Sequence, residues 1–448
     1  MSARKALMPY VARALSSPGL RRAKRGVHQA RRRALGEPRR LSIFLKVDDP
    51  YSYLLIQVLR EFLGRFDVVA DFYTVRRLPD EMYPRPEMWR ENAVYDARHL
   101  AGLYGLDFPP PSCNLDEALV EGATAALVAA ESEDDYLTRA EEIFACLWAE
   151  QPSAPADAPD YQDAMVQARL VANESGLARE GHYLSATIHY GGEWYWGLDR
   201  LDHLERRLIE EGAAFAETDS VRFDRTYRDF CTTSTPPTAE PETPLVIYWS
   251  ARSPYSYIGL ERAVRLARQH QLPLEIRPVL PMMMRGMNVP TTKKMYIFLD
   301  TKREAEKLGM PYGFVADPLG PAVERCYALV EYARAHGKLE DFLLSFGRAV
   351  NAEGIRAESD SGLKRIVERA GLSWVEARPH LQDDSWREWA QHNLDEMFAL
   401  GCWGVPSFRY GELRFWGQDR LGIIENAVIG QRRLRSTEAA GRNTAVAP

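Results

Sequence analysis

Ser253-Pro254-Tyr255-Ser256-Tyr257 decides the reading of this chain, because a near copy, Asp49-Pro50-Tyr51-Ser52-Tyr53, stands far upstream. Each copy follows a short apolar run, Leu41 to Val47 and Leu245 to Trp249, that reads as a buried strand. Each leads into a helical pattern, Leu54 to Leu63 and Ile258 to Ala267. A second pair of anchors matches as well. The stretch from Gly181 to Leu201 aligns without a gap on Gly401 to Leu421, sharing Tyr190/Tyr410, Gly191/Gly411, Trp196/Trp416, Gly197/Gly417 and a closing Asp-Arg-Leu. Self-similarity of this kind implies a tandem duplication, the second copy being longer internally.

Within each copy the pattern is strand, helix, strand (Val68 to Val75; Leu274 to Val279), a long helical middle, two short strands and a closing helix. In the second copy the helical middle covers Lys293 to Leu308, Pro321 to Ala335, Leu339 to Val350 and Asp384 to Leu400. Phe408 to Tyr410 and Leu413 to Trp416 flank Gly411-Glu412, a glycine-containing hairpin turn. The expected fold class is therefore α/β, with two similar domains at 41–215 and 245–430, each carrying a helical insertion. A basic N-terminal extension (1–40), a linker (216–244) containing the proline-rich run Thr232 to Pro244, and a polar tail (431–448) complete the expected organisation.

Composition narrows the function classes. With 46% apolar residues, 27% charged and a net charge of −6, nothing pulls the whole chain toward nucleic acid. No apolar run approaches the roughly 18 residues of a membrane helix. The first forty residues are rich in arginine and poor in acids; a transit segment, a solvated arm and a partly helical extension all fit them. Five cysteines, at 113, 146, 231, 326 and 402, form no C-x-x-C pair and no zinc pattern. They read as reduced structural thiols, Cys402 included, in a cytoplasmic protein.

The candidate chemistry sits where a helix begins after a central strand. Unpaired N–H groups and the helix dipole make that point favourable to negative charge. Ser253 stands there. It serves either as a plain helix cap or as a donor to a thiolate brought from outside. Val405-Pro406 precedes a strand, where a cis bond leaves the preceding main chain open to an extended ligand. Gln418 and Asp419 open the last helix, where they hold a ligand's polar end or merely cap. Met282, Met283, Met284 and Met287, with Trp403, line an aromatic pocket or fill core gaps.

In order, Ser-Pro-Tyr-Ser-Tyr, the Gly-x-Pro-type loop and Trp416-Gly-Gln418-Asp419-Arg420-Leu421 resemble the DsbA-like branch of the thioredoxin superfamily. More narrowly, they resemble 2-hydroxychromene-2-carboxylate isomerases and kappa-class glutathione transferases. The likeness covers nearly all of residues 245–430 and, weakened, 41–215. It implies two tandem thioredoxin-like domains and glutathione, or another low-molecular-weight thiol, as cofactor. It also implies that Ser253 hydrogen-bonds the glutathione sulfur, that Val405 beside Pro406 pairs with the cysteinyl unit, and that Gln418 and Asp419 hold the γ-glutamyl end. Asn288 and Lys293 are the counterparts of a further asparagine and lysine of the pattern, with Lys294 an alternative cation. The implied reaction is thiol addition to a conjugated or aromatic substrate, rotation and elimination: an isomerase or a glutathione transferase.

In the first copy Asp49 replaces Ser253 and Ala186 replaces Pro406, so that copy reads as non-catalytic. A carboxylate at the sulfur position repels a thiolate, although Asp also caps helices well. The first copy is expected to play the partner subunit in an intramolecular pseudo-dimer. The competing reading of the whole chain is a thioredoxin-fold binding or scaffold protein. A disulfide oxidoreductase is disfavoured because both helix starts lack cysteine.

Overall fold

The computed structural model describes residues 3–83, 85–109, 115–216, 218, 220–225 and 243–444. Most of the proline-rich linker, together with Cys113 and Cys231, lies outside them.

Among the described residues eight strands form two separate four-stranded sheets: β1 (Arg40–Leu45), β2 (Val69–Thr74), β3 (Thr187–Tyr190), β4 (Glu193–Trp196), β5 (Leu245–Trp249), β6 (Leu274–Pro278), β7 (Ser407–Tyr410) and β8 (Leu413–Trp416). Their orders, β2-β1-β3-β4 and β6-β5-β7-β8, are the same arrangement written twice. The first two strands of each sheet are parallel, and the last two are an antiparallel hairpin laid along the central strand. This is the mixed α/β, thioredoxin-like order. It follows from a right-handed βαβ start whose apolar central strand must be covered on both faces. In β5 all five residues are buried.

The chain divides into two compact units that do not coincide with a simple halving. The N-unit holds Arg21–Arg225 and also Pro290–Tyr296; the C-unit holds Met1–Leu20, Thr226–Val289 and Ile297–Pro448. The basic segment is helical, Ala3–Leu15 and Pro18–Leu35. In the C-unit, Tyr10 meets the Phe314 ring edge-on at 5.1 Å. In the N-unit, Arg25 pairs with Glu193 at 2.6 Å. The closing helix runs Leu421–Thr444, beyond the end assigned to the domain from sequence. No described helix is long and apolar enough to cross a membrane.

The helix that follows the central strand of each sheet starts at its proline, Pro50–Leu63 and Pro254–Gln269. Proline fits there because the first helical N–H has no partner to lose. The expected helix Pro321 to Ala335 is two, Pro321–Ala328 and Val330–Ala335, breaking at Leu329. Two further helices, Asp360–Arg369 and Trp374–Ala377, were not expected from the sequence. Both are capped by serines, Ser359 and Ser373.

Gly259 holds the helix Pro254–Gln269 close to the last hairpin. A Cβ on it would lie 2.9 Å from Pro406 Cγ and 3.1 Å from Phe408 Cζ. In an open helix Gly→Ala gains about 1 kcal/mol, but overpacking costs about 1–3 kcal/mol. Here the neighbours are a proline ring and a fully buried phenylalanine. Gly259→Ala is expected to destabilise the protein by about 1–2 kcal/mol in urea denaturation; a stabilised variant would show that this contact is loose.

Candidate functional site

Ser253 has extended dihedrals (φ −71°, ψ 120°), and its Oγ accepts the Ser256 N–H at 3.2 Å, which makes it the N-cap of Pro254–Gln269. The same Oγ donates to the Val405 carbonyl at 3.3 Å. That bond is long for a hydroxyl donor, whose usual length is about 2.7–2.8 Å. The Val405–Pro406 bond is cis. Ser253 and Val405 are both half-buried residues. No described residue hydrogen-bonds the Val405 N–H. The Pro406 carbonyl accepts the Gly417 N–H at 2.9 Å, which ties the loop to the hairpin's exit.

The other candidate residues are placed unevenly. Gln418 is 1% exposed and its side chain is already used. Its Nε2 donates to Glu304 at 3.0 Å and to Asp419 at 2.6 Å. Its oxygen and its main-chain carbonyl both accept from Arg262. Asp419 stays half-exposed at this junction. Asn288 is exposed in the loop after β6. Lys293 groups with the N-unit. There its ammonium donates to the Met82 carbonyl and lies 5.7 Å from the centre of the Tyr183 ring. Burial pushes its pKa down to about 8. Met282, Met283 and Met284 form a half-buried turn, while Trp403 is buried against Trp416 at 4.9 Å.

Arg262, Glu304, Tyr255 and Asp300 were missed in the sequence. Tyr255 donates to Asp300 at 2.6 Å, and Arg303 pairs with the same carboxylate at 2.8 Å. A signal was present, since Tyr51 and Asp96 stand at the same spacing in the first copy and also hydrogen-bond, at 2.9 Å.

The N-unit's equivalent place is closed. Asp49 caps Pro50–Leu63 through the Tyr51 N–H at 3.1 Å, and its other oxygen accepts the Ser52 and Ser185 hydroxyls, both at 2.8 Å. Asp49 is 3% exposed. Ser185 precedes Ala186 as Val405 precedes Pro406, and Ala186 has a left-handed φ of 52°. The Gly197 N–H reaches the Ala186 carbonyl at 2.7 Å, matching the Gly417–Pro406 bond. Burial raises the Asp49 carboxyl above the ordinary carboxylate range, against the lowering pull of the two serines.

These features define a thioredoxin-like α/β domain with serine at the helix start and a cis-proline loop opposite it. Residues 244–428 match the family model of the DSBA-like thioredoxin domain. Among relatives, the chain is similar to the 2-hydroxychromene-2-carboxylate isomerase of Sphingobium xenophagum, 24% identical over 190 residues that cover 41% of this chain and 96% of that protein. The isomerase of the same name from Pseudomonas putida is 23% identical over 189 residues, covering 40% and 92%. A solved 2-hydroxychromene-2-carboxylate isomerase structure aligns with TM-score 0.39 at 22% identity, over 43% of this chain and 98% of that one.

Because the folded Asp49 holds its proton more tightly than the unfolded chain does, its ionisation weighs against folding above the ordinary carboxylate pKa of about 3.9. Below that pH both states are protonated and the penalty vanishes. Asp49→Asn is therefore expected to raise the Tm at pH 7–8, with the gain fading to nothing near pH 4. A variant less stable at pH 7 would mean that the charged carboxylate holds the two serines together.

Proposed function

We propose that the C-unit is a glutathione-dependent isomerase or transferase of the 2-hydroxychromene-2-carboxylate isomerase type, acting on a conjugated or aromatic small molecule. The observation that carries this reading is the hydroxyl of the half-buried Ser253, placed at a helix start and held only by a long bond to the Val405 carbonyl across the loop. The relatives named above bear on the same reading.

The residues present suit a thiol tripeptide at one end better than at the other. Ser253 accepts the Ser256 N–H, so its own proton is left to turn from Val405 toward a sulfur. The first N–H groups of a sixteen-residue helix add a favourable field for a thiolate. The open Val405 N–H and the adjacent carbonyl suit main-chain pairing with a cysteinyl unit. At the far end the Gln418 amide is committed to Glu304 and Arg262, so it orients the turn, and we assign the ligand's amine to the half-exposed Asp419 carboxylate beside it. Lys293 is assigned no part in this site, and Asn288 remains a candidate on its exposed loop. Glutathione, when bound, supplies a nucleophilic sulfur that adds to a conjugated bond and later leaves.

The N-unit fits the non-catalytic role, since Asp49 is an acceptor closed by two hydroxyls and offers a thiolate no donor. We assign it the part of the partner subunit, the two units being copies of one ancestral domain and the site lying in a protein of reducing compartments.

Ser253→Asp keeps a capping side chain and copies the N-unit. It is expected to lower kcat/KM with a 2-hydroxychromene-2-carboxylate substrate at least 100-fold while leaving the Tm within a few degrees. Glutathione binding by calorimetry is expected to weaken in Ser253→Ala and in Asp419→Ala. Undetectable thiol binding by the wild-type chain would leave the scaffold reading in its place.

A further inference from the structure

The first 36 residues carry ten lysines and arginines and no acid, although the whole chain has a net charge of −6. The same segment gathers exposed apolar surface. Of fourteen large apolar side chains that stay exposed among the described residues, seven stand between Leu7 and Leu35. Single exposed residues of this kind are ordinary, but their concentration in one short segment marks a surface that meets a partner.

The helix Pro18–Leu35 is turned the unusual way round. A surface helix ordinarily packs its apolar stripe inward and shows its charges to water. Here the side against the N-unit is polar. Arg25 pairs with Glu193 at 2.6 Å and reaches Glu210 at 3.6 Å, Gln29 donates to Glu211, and His28 meets the Tyr190 ring edge-on at 5.6 Å. Outward stand Val27, 70% exposed, and Leu35. Lys24 and Arg31 flank Val27 at spacings of three and four, which puts all three on one face. Arg22, Lys24, Arg31 and Arg33 are exposed, and no acid pairs with any of them among the described residues.

The helix Ala3–Leu15 presents an apolar face of its own. It is seated on the C-unit through the buried Pro9 and through Arg13, which lies 5.5 Å over the Phe314 ring. Leu7, Val11 and Leu15 follow one another at intervals of four, so they form a single row, and all three are exposed. Met8 stands exposed beside them.

Faces of this composition call for a partner that offers negative charge and hydrocarbon together. Nucleic acid offers the first alone: cations hold its phosphates, and a row of Leu and Val adds nothing to that contact. A second copy of the chain would set the unpaired cations against one another. A bilayer containing anionic lipid offers both, headgroups to the arginines and lysines and acyl chains to the apolar rows. We propose that the two N-terminal helices lie in the headgroup layer of an anionic phospholipid bilayer and hold the protein at its surface. They lie in that layer without crossing it, since neither is long and apolar enough to span. The proposal is independent of the thiol chemistry at Ser253.

Flotation of the full-length protein with vesicles tests this. One set is phosphatidylcholine alone, and the other contains about 30% phosphatidylserine. Partition onto the anionic set is expected to be at least tenfold stronger, and to fall at least fivefold when NaCl is raised from about 0.05 M to about 0.5 M. Two combined variants separate the contributions. One carries Arg22→Gln, Lys24→Gln, Arg31→Gln and Arg33→Gln; the other carries Leu7→Gln, Val11→Gln and Leu15→Gln. Each is expected to weaken partition at least tenfold at unchanged Tm, because the side chains replaced stand in solvent. If the Leu7, Val11 and Leu15 variant floats as the wild type does, the attraction is to bare charge and the proposal fails. It fails equally if the wild-type chain floats with neither set, or if sedimentation shows a dimer that this variant abolishes and anionic vesicles do not compete with.

Discussion

The helix after each central strand must satisfy its leading N–H groups, and the residue that does so also faces the loop before the last hairpin. This double duty organises the chemistry of both halves. Serine caps with a lone pair and keeps a proton to give, so Ser253 meets the Ser256 N–H on one side and the Val405 carbonyl on the other. Aspartate can only accept. Asp49 therefore draws in the Ser52 and Ser185 hydroxyls and becomes buried, which closes the place where a ligand would stand. Two side-chain differences, Asp49 for Ser253 at the cap and Ser185 for Val405 on the facing loop, separate an open position from a sealed one.

Around this point the two units share a frame of hydrogen bonds that is indifferent to the cap. The Gly417 N–H reaches Pro406 as the Gly197 N–H reaches Ala186, and Tyr255 reaches Asp300 as Tyr51 reaches Asp96. In the C-unit the frame extends through Arg262, Gln418 and Glu304, all at least nine-tenths buried. A buried polar group is expensive unless every donor and acceptor is met, so this network fixes the turn after the hairpin. The asparagine that caps the end of the edge strand is common to both units as well, Asn173 at Thr74 and Asn393 at Pro278.

Much of this is legible in the order of the residues alone. Strand β5 spans Leu245–Trp249, the limits its apolar run suggests, because a strand buried on both faces needs no alternation. The repeat of Pro-Tyr-Ser-Tyr places both helix starts, and the Trp-Gly-x-Asp-Arg-Leu match places both hairpin exits. The break at Leu329 and the helices Asp360–Arg369 and Trp374–Ala377 are not legible in that way. Their periodicity runs on from neighbouring helices, and only packing decides where one stops.

The sequence by itself determined the βαβ start, the closing hairpin, the serine cap and its replacement by aspartate, since each rests on local residue chemistry. Tertiary structure alone decided which polar groups were free. Gln418 looks available in the sequence but is held by Arg262 and Glu304, and Lys293 lies among N-unit residues. Whether a hydrogen-bonding group has a partner depends on residues distant in the chain, and only folding brings those together.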